Sequence, residues 1–167
     1  MQVPIRKPGK YTHERRDPNL TEEKFNALKQ ELERLKTVQQ PHAILEVKRL
    51  AEMGDFSENA AYSIAKGKLR GINDRINELT EYLKHVVIIT PKNTGTVQLG
   101  STVTVEINGK QKTYTILGST ETDPSTGVIS HQSPVGAALM GRRVGDTVEI
   151  QLAGKRVECK IITILRP

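Results

Sequence analysis

The chain has 167 residues, with 25 Lys and Arg against 19 Asp and Glu, one Cys, no Trp and 4% aromatic residues. That length holds one compact domain or two small ones, and the single Cys159 excludes an internal disulfide framework and a Cys-based zinc cluster. The longest aliphatic run, residues 86–89, is far short of the roughly 20 apolar residues of a membrane span, and the polar, basic stretch 1–18 lacks the apolar core of a secretory signal.

A reduced, cytoplasmic protein with no membrane partner is the expectation. Residues 1–18 carry five basic and two acidic side chains, residues 19–90 eleven of each, and residues 91–167 nine and six. The net charge of +6 favours approach to polyanions. Ordinary solubility charge explains it equally well.

Residues 1–18 mix Pro4, Pro8, Gly9 and Pro18 with Arg and Lys and have no hydrophobic period, so they read as a flexible tail. A helix follows. Thr21 is its N-cap, Glu22 and Glu23 occupy the positively polarised first turn, and Leu20 is placed to staple onto Phe25. Phe25, Leu28, Leu32 and Leu35 recur in steps of three and four, a heptad seam. Pro41 interrupts it with a kink or a restart. Ile44, Val47 and Ala51 are expected to resume the apolar face before Gly54-Asp55 breaks the helix.

Ala65, Leu69, Ile72, Ile76, Leu79, Leu83 and Val86 then alternate steps of four and three. Two heptad helices joined by a tight turn make an antiparallel hairpin over residues 19–90, a rod of roughly 45–50 Å with its tip at 54–59. Gly67 and Gly71 each cost up to about 1 kcal/mol relative to Ala inside the second helix, and close helix approach is one explanation for them. After residue 91 the period becomes two. Val103, Val105 and Ile107 alternate, Asn108-Gly109 supplies a hairpin turn, and Tyr114 and Ile116 return. Further strands are expected at 127–130, 146–152 and 155–165, and a short helix at 134–140 capped by Ser133 with Pro134 first. Residues 91–167 thus form a small, mostly antiparallel sheet with one helix, giving an α+β chain.

Four scattered His residues show no metal-ligand spacing, and neither a glycine-rich phosphate loop nor a nucleophile elbow is present. Cys159, in step with Val157 and Ile161, reads as a core thiol. The hairpin tip is the candidate site. Asp55 and Glu58 stand three apart at the end of a rod, which is the spacing of a capping box. It also suits a partial magnesium site, because magnesium takes one or two protein carboxylates and fills its remaining positions from elsewhere. One carboxylate oxygen can cap while another binds, so both readings stand. Phe56, on a tip without its own core, favours insertion into a partner. Lys66, Lys68, Arg70 and Arg75 follow on the second helix. They are either a solvated face or a stripe that holds an RNA backbone.

The tip Gly54-Asp55-Phe56-Ser57-Glu58-Asn59-Ala60-Ala61-Tyr62 and the stretch Ile129-Ser130-His131-Gln132-Ser133-Pro134-Val135-Gly136-Ala137-Ala138-Leu139, followed by Gly141, Val144, Gly145 and Asp146, together resemble the bacterial Gre transcript-cleavage factors, GreA and GreB. The similarity covers residues 20–167, with both motifs in the family's order. It implies a coiled-coil hairpin and an FKBP-like sheet domain that docks on RNA polymerase at residues including Ser130, Ser133 and Pro134. It further implies that the hairpin enters the polymerase's secondary channel. Asp55 and Glu58 there help hold a magnesium ion shared with the polymerase, no cofactor being tightly bound by the factor itself, while Phe56, Ser57, Asn59 and Tyr62 support the tip. The backtracked RNA 3′ end is then cut by the polymerase, so the factor is a monomeric accessory protein and not itself an enzyme. DNA binding is a further family attribute.

Ala61 replaces an acidic residue common in the family, and Ala137 replaces a basic one. Ser57 and the Lys66–Arg75 cluster lean toward the GreB type without fixing the subtype. The alternatives are a regulator of the same shape that occupies the channel and inhibits, a prolyl isomerase suggested only by the FKBP-like sheet and poorly served by two Phe, four Tyr and no Trp, and a general basic nucleic-acid binder.

Overall fold

Thr21 begins the first helix in extended backbone, with φ −68° and ψ 154°, and its hydroxyl accepts the Lys24 N–H at 3.2 Å. One of the helix's orphan donors is thereby satisfied. The computed structural model describes residues 16–53, 60–90, 94–152 and 154–165. Helix α1 spans Glu22–Arg34, a single π-helical turn follows over Leu35–Gln39, and helix α2 spans Gln40–Glu52. Pro41 lies in the first turn of α2. An undisturbed α-helix would drive its ring into the carbonyl four residues back. The wider turn, closed by the Gln40 N–H donating five residues back to the Leu35 carbonyl, relieves that clash without ending the rod.

The π turn also corrects the expected seam. The buried positions on this arm are Leu28, Leu35, Ala43 and Leu50, so the step across the π turn is eight residues where the flanking steps are seven. One extra residue rotates α2 so that Ala43 faces the core and Ile44 is left 49% exposed. Val47 and Ala51 are only half-buried.

Helix α3, Ala60–Lys84, returns along the first arm. Its 25 residues extend about 37 Å at roughly 1.5 Å per residue. It buries Ala65, Ile72, Ile76 and Leu79, with Leu69, Leu83 and Val86 packed at the margin, as the heptad pattern requires. Each fully buried Leu or Ile contributes about 1.5–3 kcal/mol. Gly67 and Gly71 do not mark a close helix approach, since a Cβ added at either meets nothing within 4 Å.

A two-residue parallel pair, β1 (Asn19–Leu20) with β2 (Val87–Ile88), ties the start of the hairpin to its end. Strands this short carry no readable period. The second layer is a five-stranded sheet of β3 (Thr102–Ile107), β4 (Lys110–Leu117), β5 (Val128–Ser130), β6 (Thr147–Leu152) and β7 (Lys155–Leu165). Its order is β5-β4-β3-β7-β6. Only the β4–β5 pairing is parallel. Asn108 and Gly109 take φ of 51° and 74°, the left-handed pair that a two-residue hairpin turn demands. Helix α4, Pro134–Leu139, is capped by Ser133. It closes the inner face over Val103, Val105, Ile116, Ile150, Cys159 and Ile161. Burial pushes the Cys159 thiol upward in pKa, in keeping with a core thiol.

Candidate functional site

Asp55, Phe56, Ser57, Glu58 and Asn59 lie outside the described residues. Their flanks are described: α2 ends at Glu52 and α3 begins at Ala60, so the segment that carries the carboxylate pair is the one that joins the two arms. Met53 is 70% exposed and Ile64 72%. Both flank the segment 54–59 in the sequence. Tyr62 lies one turn below it, with the Lys66 ammonium 5.2 Å from its ring centroid, a cation–π contact of roughly 0.5–1 kcal/mol at such a site.

The four basic candidates separate. Lys66 and Arg70 line an open groove of about 870 Å³ with Val47, Tyr62 and Gly67. Lys68 instead faces Glu46 at 3.6 Å. Arg75 spans the hairpin, its guanidinium 2.9 Å from Glu31 and 3.1 Å from Glu78. Burial opposes the Arg75 charge, but the hydrogen bonds and attraction of these two carboxylates outweigh it and raise its pKa.

In the sheet domain, the Ser133 hydroxyl donates to the Ser130 carbonyl at 2.7 Å and accepts the Gly136 N–H at 3.0 Å. The Ser130 hydroxyl accepts the Gln132 N–H at 3.0 Å and meets the Ser119 hydroxyl at 2.8 Å. Both serines thus shape their own loop, while Pro134 and Ala137 are exposed on α4.

A second cluster, absent from the sequence reading, joins the two parts. Asp17, placed there in the flexible tail, is 7% exposed. One carboxylate oxygen accepts the Asn19 N–H at 3.0 Å and the Asn19 amide at 2.8 Å. The other accepts the Ser119 N–H at 2.8 Å and lies 3.4 Å from His131 Nδ1. Burial alone would raise the Asp17 pKa, but these donors and the nearby His131 lower it. Glu121, in a 3₁₀ turn at Ser119–Glu121, accepts the Thr21 N–H at 2.8 Å and its hydroxyl at 2.6 Å. Tyr82 donates its hydroxyl to the Asp17 carbonyl at 2.7 Å. A buried Asp beside Pro18 leaves no periodic signal, since Ser119 and His131 lie more than a hundred residues away.

Among the described residues no three His, Cys, Asp or Glu side chains assemble into a metal site, and no helix is long and apolar enough to cross a membrane. A long two-armed helical hairpin followed by a small sheet domain is the class of protein that the described residues define. Residues 19–88 match the family described as transcription elongation factor, N-terminal, and residues 91–166 match transcription elongation factor, GreA/GreB, C-term. The chain is 42% identical over 148 residues to the transcription elongation factor GreA of Thermomicrobium roseum, covering 87% of this chain and 95% of that protein. It is 40% identical over 149 residues to GreA of Geobacillus kaustophilus, with 87% and 94% covered. The solved structure of the transcription factor Gfh1 is 28% identical over 89% of this chain and 97% of that one, with a TM-score of 0.43. The chain belongs to the GreA/GreB family of transcription elongation factors. Both relatives carry the name GreA, against the lean toward the GreB type taken from Ser57 and the basic cluster.

Proposed function

We propose that this protein binds bacterial RNA polymerase through its sheet domain, inserts the hairpin into the secondary channel and stimulates the polymerase's own cleavage of backtracked RNA. It acts as a monomer and restarts arrested complexes. The reading rests on one juxtaposition. The segment carrying the Asp55/Glu58 pair joins α2 to α3, whose helical rise is about 37 Å, and the family's second motif, residues 129–139, lies in the sheet domain that follows the hairpin.

Each tip residue then has a role. Asp55 and Glu58 offer hard oxygen donors, the kind that suits magnesium, and two carboxylates are too few to hold it without ligands from the polymerase. When bound there, magnesium supplies activation of the attacking water and stabilisation of the leaving oxygen. Phe56, Ser57, Asn59 and Tyr62 hold the tip in shape. Lys66 and Arg70 neutralise phosphates of the nascent RNA 3′ segment along the groove they line, whereas Lys68 and Arg75 serve the hairpin's own ion pairs. Pro134 meets the polymerase from the first turn of α4, which Ser130 and Ser133 brace.

The test is RNA cleavage in a halted, backtracked polymerase complex with magnesium, comparing wild type with Asp55→Asn and Glu58→Gln. Asn at position 55 still caps a helix, so loss of stimulated cleavage in both variants identifies a metal-assisting pair. Wild type that binds without stimulating cleavage makes the pair a capping box and the protein a channel-occupying inhibitor.

A further inference from the structure

The junction between the hairpin and the sheet domain is more elaborate than a tether. Asp17 and Thr21 come from the entry to α1 and Tyr82 from the end of α3. The Gly118–Glu121 turn and His131 come from the sheet domain. The contacts run in both directions across the boundary: Asp17 accepts from Ser119, and Thr21 donates twice to Glu121. Gly118 brings the two backbones together. A Cβ built there would stand 2.0 Å from the Asn19 carbonyl oxygen. Its backbone, with φ −67°, suits any residue, so proximity alone requires glycine. Asn19 is itself fixed by the β1–β2 pair. Asp17 also precedes residue 19, where the match to the family's N-terminal region begins.

We propose that Asp17, Gly118 and Glu121 are positioning residues, forming a latch that sets the angle of the hairpin on the sheet domain and hence the place of the tip carboxylates once that domain is docked. This rests on the function proposed above. The geometry favours it because a small rotation at the junction is multiplied along the rod, and catalytic groups tolerate little displacement. A shift of about 1 Å is enough to reduce a rate on the order of a hundredfold. No residue of the latch belongs to the tip or to the Pro134 surface.

Two variants test it. Gly118→Ala inserts a wedge between the backbones without removing a polar group, and Glu121→Gln weakens the grip on Thr21 with little change in volume. Spin labels at Lys36→Cys and Gln111→Cys, both exposed, report the interdomain distance by pulsed electron resonance, Cys159 being buried. The distance distribution is expected to shift or broaden in each variant. In the cleavage assay the factor concentration giving half-maximal stimulation should stay within about twofold of wild type, while the maximal rate at saturation falls on the order of tenfold or more. An unchanged distance distribution, an unchanged maximal rate despite a shifted distance, or a loss confined to apparent affinity overturns the proposal. Wild type that fails to stimulate cleavage overturns the functional reading and the positioning role with it, and the distance distributions then still tell whether the junction is rigid.

Discussion

Among the described residues of the hairpin, Gly67 and Gly71 are positions where a Cβ would find open space. Both lie inside α3, neither has a positive φ, and an added Cβ at either position touches nothing within 4 Å. Replacement by Ala therefore introduces no clash and removes backbone freedom from the unfolded chain, a gain of about 0.5–1 kcal/mol per site. The two Cβ atoms do not meet a common neighbour, so the effects should add to about 1–2 kcal/mol. At roughly 2–4 °C per kcal/mol for a chain of this size, Gly67→Ala/Gly71→Ala should melt about 2–8 °C higher, as followed by circular dichroism at 222 nm. The two sites part company in function. Gly67 lines the groove with Lys66 and Arg70, so Gly67→Ala should slow stimulated cleavage as it stabilises. Gly71 is outside that groove, and Gly71→Ala should stabilise at no cost in cleavage. A melting temperature that falls in either single variant would refute the reasoning, because it would require a steric or conformational demand for glycine.

Arg75→Met should lower stability by roughly 0.2–1 kcal/mol, the range for half-exposed ion pairs, in urea denaturation, and should slow stimulated cleavage less than Lys66→Ala does. The Asp17 carboxyl, held below the usual range by Ser119 and Asn19 against the effect of burial, binds its proton more readily in the unfolded chain than in the folded one. Its contribution is therefore complete above the unfolded pKa of about 4 and is lost as pH falls through the lower folded value. Denaturation midpoints between neutral pH and strong acid should show that loss in wild type and a shallower one in Asp17→Asn. Cys159 is fully buried with its thiol pKa raised by burial, so a disulfide reagent should label it only in denaturant. Rapid labelling of the native protein would mean that the sheet's inner face opens.

Signals within a few residues of one another were legible. Thr21 and Ser133 cap helices, and Asn108-Gly109 turns the β3–β4 hairpin, because each is a local bargain between a side chain or backbone dihedral and its immediate neighbours. The α3 seam was legible for the same reason, repeated every seven residues. The α2 seam was not. Pro41 announces a disturbance but not its form, and only the π turn decides that Ala43 and not Ile44 meets Ile72 and Ile76 in the core. Arg75 reads as one more member of a basic stripe until the first arm brings Glu31 to 2.9 Å.

The tip and the junction show the same divide in functional terms. Asp55 and Glu58 lie three apart, so a motif carries them. The latch is a set of single residues from two segments about a hundred residues apart, and each member alone looks like something ordinary: an Asp in a tail, a Gly before a turn, a Glu in a loop. Their union follows from what the fold lacks. The hairpin core is one seam wide, and its buried cluster, Leu20 and Leu79 included, does not merge with that of the sheet domain, so apolar contact between the two is small. A hydrophobic contact of that size leaves a lever free to swing, whereas hydrogen bonds are directional and lose strength steeply when bent. Orientation is therefore assigned to charged acceptors, Asp17 and Glu121, facing backbone donors that cannot move independently of their domains. A polar junction of this kind fixes an angle that apolar packing of the same extent would leave free.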